Sequence, residues 1–146
     1  MIDTQKKLQQ LLDKGFEYFS KTSELKLSEK PSLSQWSKKE LLGHLIDSGI
    51  NNLQRFTEIQ FKPKPYQLIN YNQNELVIAN NYQQANTKNI LAFWIAINTR
   101  IISVIAAQTE TTLSYAIELD KQTADLRFLI IDYVDHLKHH LNQIEN

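Results

Sequence analysis

Residues 36–56 read WSKKELLGHLIDSGINNLQRF, and the opening of this stretch already sets its conformation. Ser37 can cap the free amides of a helix start, and Glu40, three residues on, can reach back to the amide of Ser37. Trp36 before the cap and Leu41 four residues after it have the spacing of a hydrophobic staple. From there Leu41, Leu42, Leu45, Leu53 and Phe56 mark one buried face. The helix is predicted to last until near Gln60, before Pro63 and Pro65 stop it. A helix with one apolar face needs partners of its own kind.

Three further segments supply them. The first runs from about Asp3 to Ser20, with Leu8, Leu11, Leu12, Phe16 and Phe19 at helical spacing. A polar stretch with a proline, SELKLSEKPSLS, then interrupts the pattern. A later helix spans about Thr87 to Gln108, where Ile90, Phe93, Trp94, Ile97, Ile101, Ile102, Val104 and Ile105 form a wide stripe. That width predicts the most buried helix of the set. A last helix is capped by Thr123 and runs to the C-terminus, with Leu126, Leu129, Ile130, Tyr133, Leu137, Leu141 and Ile144 facing the core. Residues 61–86 read mostly as connection, with a short helix capped by Asn72 in NQNE, and their length suggests a crossover or lid. TLSYAIELD has the composition of a strand but no obvious partner. The expectation is one all-α domain over residues 1–146, a four-helix bundle.

Composition narrows the function. Lysine plus arginine and aspartate plus glutamate number 16 each, so the chain is formally neutral and lacks the cationic excess of a nucleic-acid binder. Without cysteine there is neither a disulfide framework nor a thiolate nucleophile, which suits a reducing compartment. The N-terminus, MIDTQKKLQQ, is too polar for a signal peptide, and no stretch reads as a membrane span of ~20 apolar residues. A cytoplasmic, soluble protein with a small-molecule substrate is expected.

All four histidines lie in two helical stretches, His44 in LGHLIDS and His136, His139 and His140 in DHLKHHLNQ. Imidazole is the commonest ligand for zinc, nickel, copper and iron. A pair at i and i+4 points from nearly one helix face, and a third ring from elsewhere would complete a set with open positions. On a helical wheel His140 lies roughly 60 degrees from the core stripe, His136 about 100 and His139 about 160. The pair, if it binds metal, is His136 and His140, with His139 in solvent; otherwise all three belong to a solvated helix end favoured by the helix dipole. Gln143 is placed to orient a ligand ring by a hydrogen bond. His44 lies roughly 130 degrees from its own apolar face, beside Ser48, Asn51 and Arg55, which reads as a solvated stripe or as one wall of a wet cleft. Asp47 could be a fourth ligand, an acceptor steadying His44 or an exposed carboxylate. Asn98, one turn after Trp94 in the core stripe, is either a tether between helices or part of a polar pocket.

Three segments together carry a resemblance. WSKKELLGHLIDSGINNLQRF, FWIAINTRII and DYVDHLKHHLNQI, with its H-x-x-H-H-x-x-Q spacing, resemble in order the second, third and last helices of the DinB-like (DinB/YfiT-like) superfamily of four-helix metalloenzymes. The resemblance covers most of the chain from Trp36 to Ile144. It implies an up-down-down-up bundle with a long crossover connection, and a divalent metal held by His44, His136 and His140. Zinc or nickel would be the first choices, iron or copper the others. Relatives include thiol-dependent enzymes, such as bacillithiol S-transferases and mycothiol-dependent isomerases, and metal-dependent hydrolases. Leu141 and Asn142 replace the arginine and glycine of a common form of the motif, H-H-R-G-Q, so a pocket contact by that arginine is lost.

The function implied is activation of a thiol or water by the metal, with Asp47, Asn98, Trp94 and Gln143 around the site. Any thiolate would come from a low-molecular-weight thiol, giving S-conjugation of an electrophile, with hydrolysis as the close variant. No residue stands out as a catalytic base. The rival is a non-catalytic metal-binding or stress-response module with a structural or vestigial site. A homodimer is left open.

Overall fold

The computed structural model describes residues 1–120 and 122–146. In chain order the helices are α1 (Ile2–Lys21), α2 (Glu24–Ser28), α3 (Lys38–Glu58), α4 (Gln73–Ala79), α5 (Thr87–Ala106), α6 (Glu110–Leu113) and α7 (Leu126–Glu145). Three short strands, β1 (Tyr66–Gln67), β2 (Ala116–Leu119) and β3 (Gln122–Asp125), and a 3-10 turn at Tyr82–Gln84 complete the set among the described residues. The long helices α1, α3, α5 and α7 form the bundle. α3 packs on α5 and α7, and α1 packs on the same two from the opposite side.

Named contacts fix the directions. Lys7 pairs with Asp135 and Lys14 with Glu145, so α1 and α7 run in step. The Lys38 ammonium donates to the carbonyl of Ile144, bringing the start of α3 to the end of α7. Lys39 Nζ donates to the carbonyl of Ala85 at 3.1 Å, beside the start of α5, and Gly49 lies against Ile97 further along. α3 and α5 are therefore parallel, and the order is up-down-down-up. Parallel neighbours cannot share a tight turn. The chain must travel back the length of α3, roughly 30 Å at 1.5 Å per residue, and residues 59–86 do so.

The start of α3 forms as its sequence demands. Ser37 Oγ accepts from the Glu40 amide at 3.0 Å, and Glu40 Oε1 accepts from the Ser37 amide at 3.1 Å. The same Ser37 hydroxyl donates to Gln83 Oε1 at 2.6 Å, so the cap also anchors the end of the crossover. Asn72 caps α4 by accepting from the Glu75 amide at 3.0 Å.

Several expectations are corrected. α3, not α5, is the most buried long helix, because the crossover and α2 cover its outer side while α5 leaves Phe93 exposed. Phe16, predicted in the core, is 52% exposed. The polar stretch after α1 contains α2, capped by Ser23 and burying Leu27. The last helix is capped by Asp125, whose Oδ1 accepts from the Phe128 amide at 2.8 Å. Thr123 cannot serve, since it sits in β3 opposite Glu118 of β2. The strand within TLSYAIELD finds partners on both sides: β3 antiparallel, and β1 parallel from the crossover. α5 does have the length and composition of a membrane-spanning helix. Here it packs on α1 and α3 and buries an asparagine, Asn98.

Ser37→Ala removes the acceptor at the helix start and the tie to Gln83 together. The expected loss is about 1–2 kcal/mol in denaturant unfolding, the upper half of the range for a capping residue. Unchanged stability would mean that water replaces both bonds without cost.

Candidate metal centre

α3 contributes His44 and α7 contributes His136 and His140, and the antiparallel packing of these helices brings the three rings together. His44 Nε2 lies 3.3 Å from His136 Nε2, and His140 Nε2 lies 3.1 Å from the same atom. With metal–nitrogen bonds of ~2.0–2.1 Å, neighbouring ligand nitrogens on a tetrahedral or octahedral ion lie about 2.9–3.4 Å apart. The spacing fits. His139 is exposed and lies outside the ligand group, although its ring stands edge-on to His140 at 5.1 Å.

Two of the rings are backed by residues outside the trio. His140 Nδ1–H donates to Gln143 Oε1 at 2.7 Å, which fixes the tautomer and leaves the lone pair on Nε2. His44 is fully buried, with its ring tilted 32° against that of Trp36 at 5.0 Å. Its Nδ1 is buried without a hydrogen-bond partner among the described residues. Three imidazoles clustered without a carboxylate are mutually repulsive if charged. Burial first, then the neighbouring rings His140 and His136, pushes His44 down to about 4. Burial, then His140 and His139, pushes His136 down to about 4. Burial lowers His140 too, opposed by its bond to Gln143. All three are neutral at pH 7 and present lone pairs, the state a divalent ion requires.

The surrounding residues divide. Gln143 reaches the site. Asp47 is buried but turned away: its Oδ1 accepts from Tyr82 Oη at 2.6 Å and from Asn80 Nδ2 at 3.0 Å, tying α3 to the crossover. It joins no histidine, so neither the ligand reading nor the His44-steadying reading holds. Burial raises its carboxyl pKa, opposed by the tyrosine bond. Asn98 is the tether, accepting from Tyr133 Oη at 2.6 Å and donating to the carbonyl of Trp94 at 2.9 Å. Trp94 packs against Gly15, where an added Cβ would lie 2.6 Å from the indole, so it is core rather than pocket.

Two clefts reach the trio from different sides. One, about 470 Å³, is walled by His140, Gln143, Gln35, Gln73, Asn74 and Trp36. The other, about 220 Å³, is walled by His136, Asp132, Tyr133, Asn52, Arg55 and Tyr71. In the sequence Arg55 stands out only as a neighbour on the His44 stripe and Asp132 only as one of the acidic residues of the last helix, and Tyr71 not at all. The signal for Asp132 was present, since it lies one helical turn before His136. Tyr71 comes from the crossover and had none.

A family model described as the DinB superfamily matches residues 7–144. Among solved structures the chain is similar to YfiT from Bacillus subtilis, described as a probable metal-dependent hydrolase with an unusual four-helix bundle topology. The TM-score is 0.87 at 18% identity, over 98% of this chain and 82% of that one. It is similar also to a mycothiol-dependent maleylpyruvate isomerase, with a TM-score of 0.74 at 12% identity over 97% of this chain and 59% of that one. The isomerase therefore extends well beyond the shared part. A DinB-like protein from Bacillus subtilis, YjoA, gives 0.68 at 17% identity, over 97% of this chain and 86% of that one. At such identities the likeness establishes the fold. Comparison with curated proteins gives no significant match.

The depressed histidine values have a sign. In the unfolded chain His44 and His136 titrate near 6.5, and in the folded chain at about 4. Between those values the unfolded state binds more protons, so the metal-free protein should lose stability as pH falls from about 6.5 towards about 4. Urea midpoints measured across that window check this. A flat profile in wild type, or one unaltered by His44→Gln, would show that the rings do not titrate as the cluster requires.

Proposed function

The chain belongs to the DinB superfamily, and from that premise we propose that it is a divalent-metal-dependent enzyme whose ion is held by His44, His136 and His140. The observation that carries this reading is the convergence of three neutral imidazoles at ligand spacing, with one open cleft beside His136 and another beside His140. An all-imidazole set suits zinc, nickel, iron and copper, with zinc or nickel the first choices to test. A divalent ion there supplies Lewis acidity, lowering the pKa of a bound thiol or water so that a nucleophile forms near neutral pH.

The residues of the chain do the rest. Gln143 holds the His140 ring in its ligating tautomer, and Trp36 shields His44 from water. The cleft beside His140 offers side-chain amides, donors and acceptors without charge, from Gln35, Gln73, Asn74 and Gln143. Such a wall suits a hydroxyl- and amide-bearing thiol. The narrower cleft beside His136 then takes the electrophile. With no cysteine in the chain, the thiol is a small-molecule co-substrate, and the reaction is S-transfer in a reducing, cytoplasmic setting. The mycothiol dependence of the isomerase supports the thiol, and the description of YfiT supports hydrolysis as the variant in which water replaces it. Open clefts favour an enzyme over a module whose metal is sealed away.

Protein purified without a nickel column and analysed for metals should carry about one divalent ion per chain. His136→Ala and His140→Ala should each lose most of it, while His139→Ala should retain it. Metal-loaded protein should then accelerate conjugation of a bimane electrophile with one member of a panel of thiols, namely bacillithiol, mycothiol, glutathione and coenzyme A. Retention of metal by all three alanine variants would remove the site. A loaded protein inert towards every thiol and towards ester hydrolysis would leave the non-catalytic module.

A further inference from the structure

The cleft beside His136 contains a cation without a counterion. Arg55 is half-buried in its wall, and among the described residues no carboxylate pairs with it. One end of its guanidinium is fixed: Nη2 donates to the carbonyl of Ile69 at 2.6 Å, and the plane lies over the Tyr71 ring at 5.4 Å. The other end is nearly free, with only a 3.5 Å contact from Nη1 to Asn52 Oδ1. Burial pulls its pKa below the ordinary arginine value, while Tyr71 and Tyr66 oppose that shift. A desolvated guanidinium held rigid at one edge and unsatisfied at the other is prepared for a planar anion.

We propose that Arg55 binds the carboxylate of the substrate, so that the electrophile is a small organic acid whose reactive atom lies at the His136 end of the cleft. This names the substrate class for the metal site above and so rests on that reading. Arg55 lies eleven residues after His44, about 16 Å along α3, and its side chain leans back towards the trio. Arg55 and His136 stand at separate places in one cleft, so a ligand that meets both is a chain of several carbons and not a two-carbon acid. The cleft volume of about 220 Å³ suits a ligand of that size. Asp132, exposed on α7 one turn before His136, adds a selection. Its carboxylate lines the same cleft and repels a second anion there, so the ligand carries a single negative charge, the one that meets Arg55.

The test uses hexanoate, hexanamide and adipate on the metal-free full chain, so that loss of the metal reading and loss of this one are told apart. Calorimetry should show hexanoate binding at least tenfold more tightly than hexanamide, with Arg55→Gln bringing the two level and Arg55→Lys falling between. Asp132→Asn should raise adipate affinity by a larger factor than hexanoate affinity. On the wild type, hexanoate but not hexanamide should protect Arg55 from phenylglyoxal, read by mass spectrometry with Arg100 and Arg127 as internal controls. That measurement decides the matter even where the glutamine variant fails to fold. Equal binding of acid and amide, or modification of Arg55 unaffected by hexanoate, overturns the proposal.

Discussion

One buried carboxylate holds the arrangement on which the site depends. α3 and α5 run parallel, so the chain must return along α3, and Asp47 fastens that return by taking the Tyr82 hydroxyl and the Asn80 amide. Tyr82 is drawn down so closely that its ring occupies the space a side chain at residue 43 would need, and glycine is what stands there. The same face of α3 carries His44. One residue on from that glycine, a histidine that would be wet on an isolated helix is enclosed between Trp36 and the α7 rings of His136 and His140.

Enclosure determines the chemistry. Three bases without an acid among them stay neutral because burial and mutual repulsion both oppose a proton. The group that could hold an ion is three histidines with no carboxylate among them, so a divalent ion held there would keep its charge un-neutralised by its ligands. The helices that present the rings are pinned at other points. Tyr133 is tied to Asn98 across the core, one turn before His136 on α7, and the Lys38 ammonium reaches the last carbonyls of that helix. The ring positions are therefore properties of the bundle rather than of loops.

Much of this was legible in the residues. The capping box at Ser37 and Glu40 needs only local chemistry, and it forms. The angular separation of His139 from His136 and His140 follows from helical geometry, and the burial of the three residues follows it. Periodicity failed where cover comes from distant segments. The stripe of His44 and Ser48 looks solvated because nothing nearby in sequence reveals that α7 and the crossover will bury it. Asp47, one turn after His44, leaves ligand, acceptor and exposed carboxylate all open in the sequence, and its partners prove to be Tyr82 and Asn80, more than thirty residues on. The cap of α7 was placed at Thr123 because hairpin pairing with Glu118, a long-range contact of the backbone, leaves no trace in local composition.

The small sheet has a bearing on how such a protein diversifies. Leu68, just past β1, and Leu119, at the end of β2, line the cleft that reaches His136. They sit on segments that belong to neither histidine-bearing helix. An insertion or exchange in the β2–β3 hairpin therefore reshapes the cleft while the metal-binding frame stays as it is. The three histidines stand on long helices and part of the cleft wall stands on short strands, so the wall can change in shape and polarity without moving the rings.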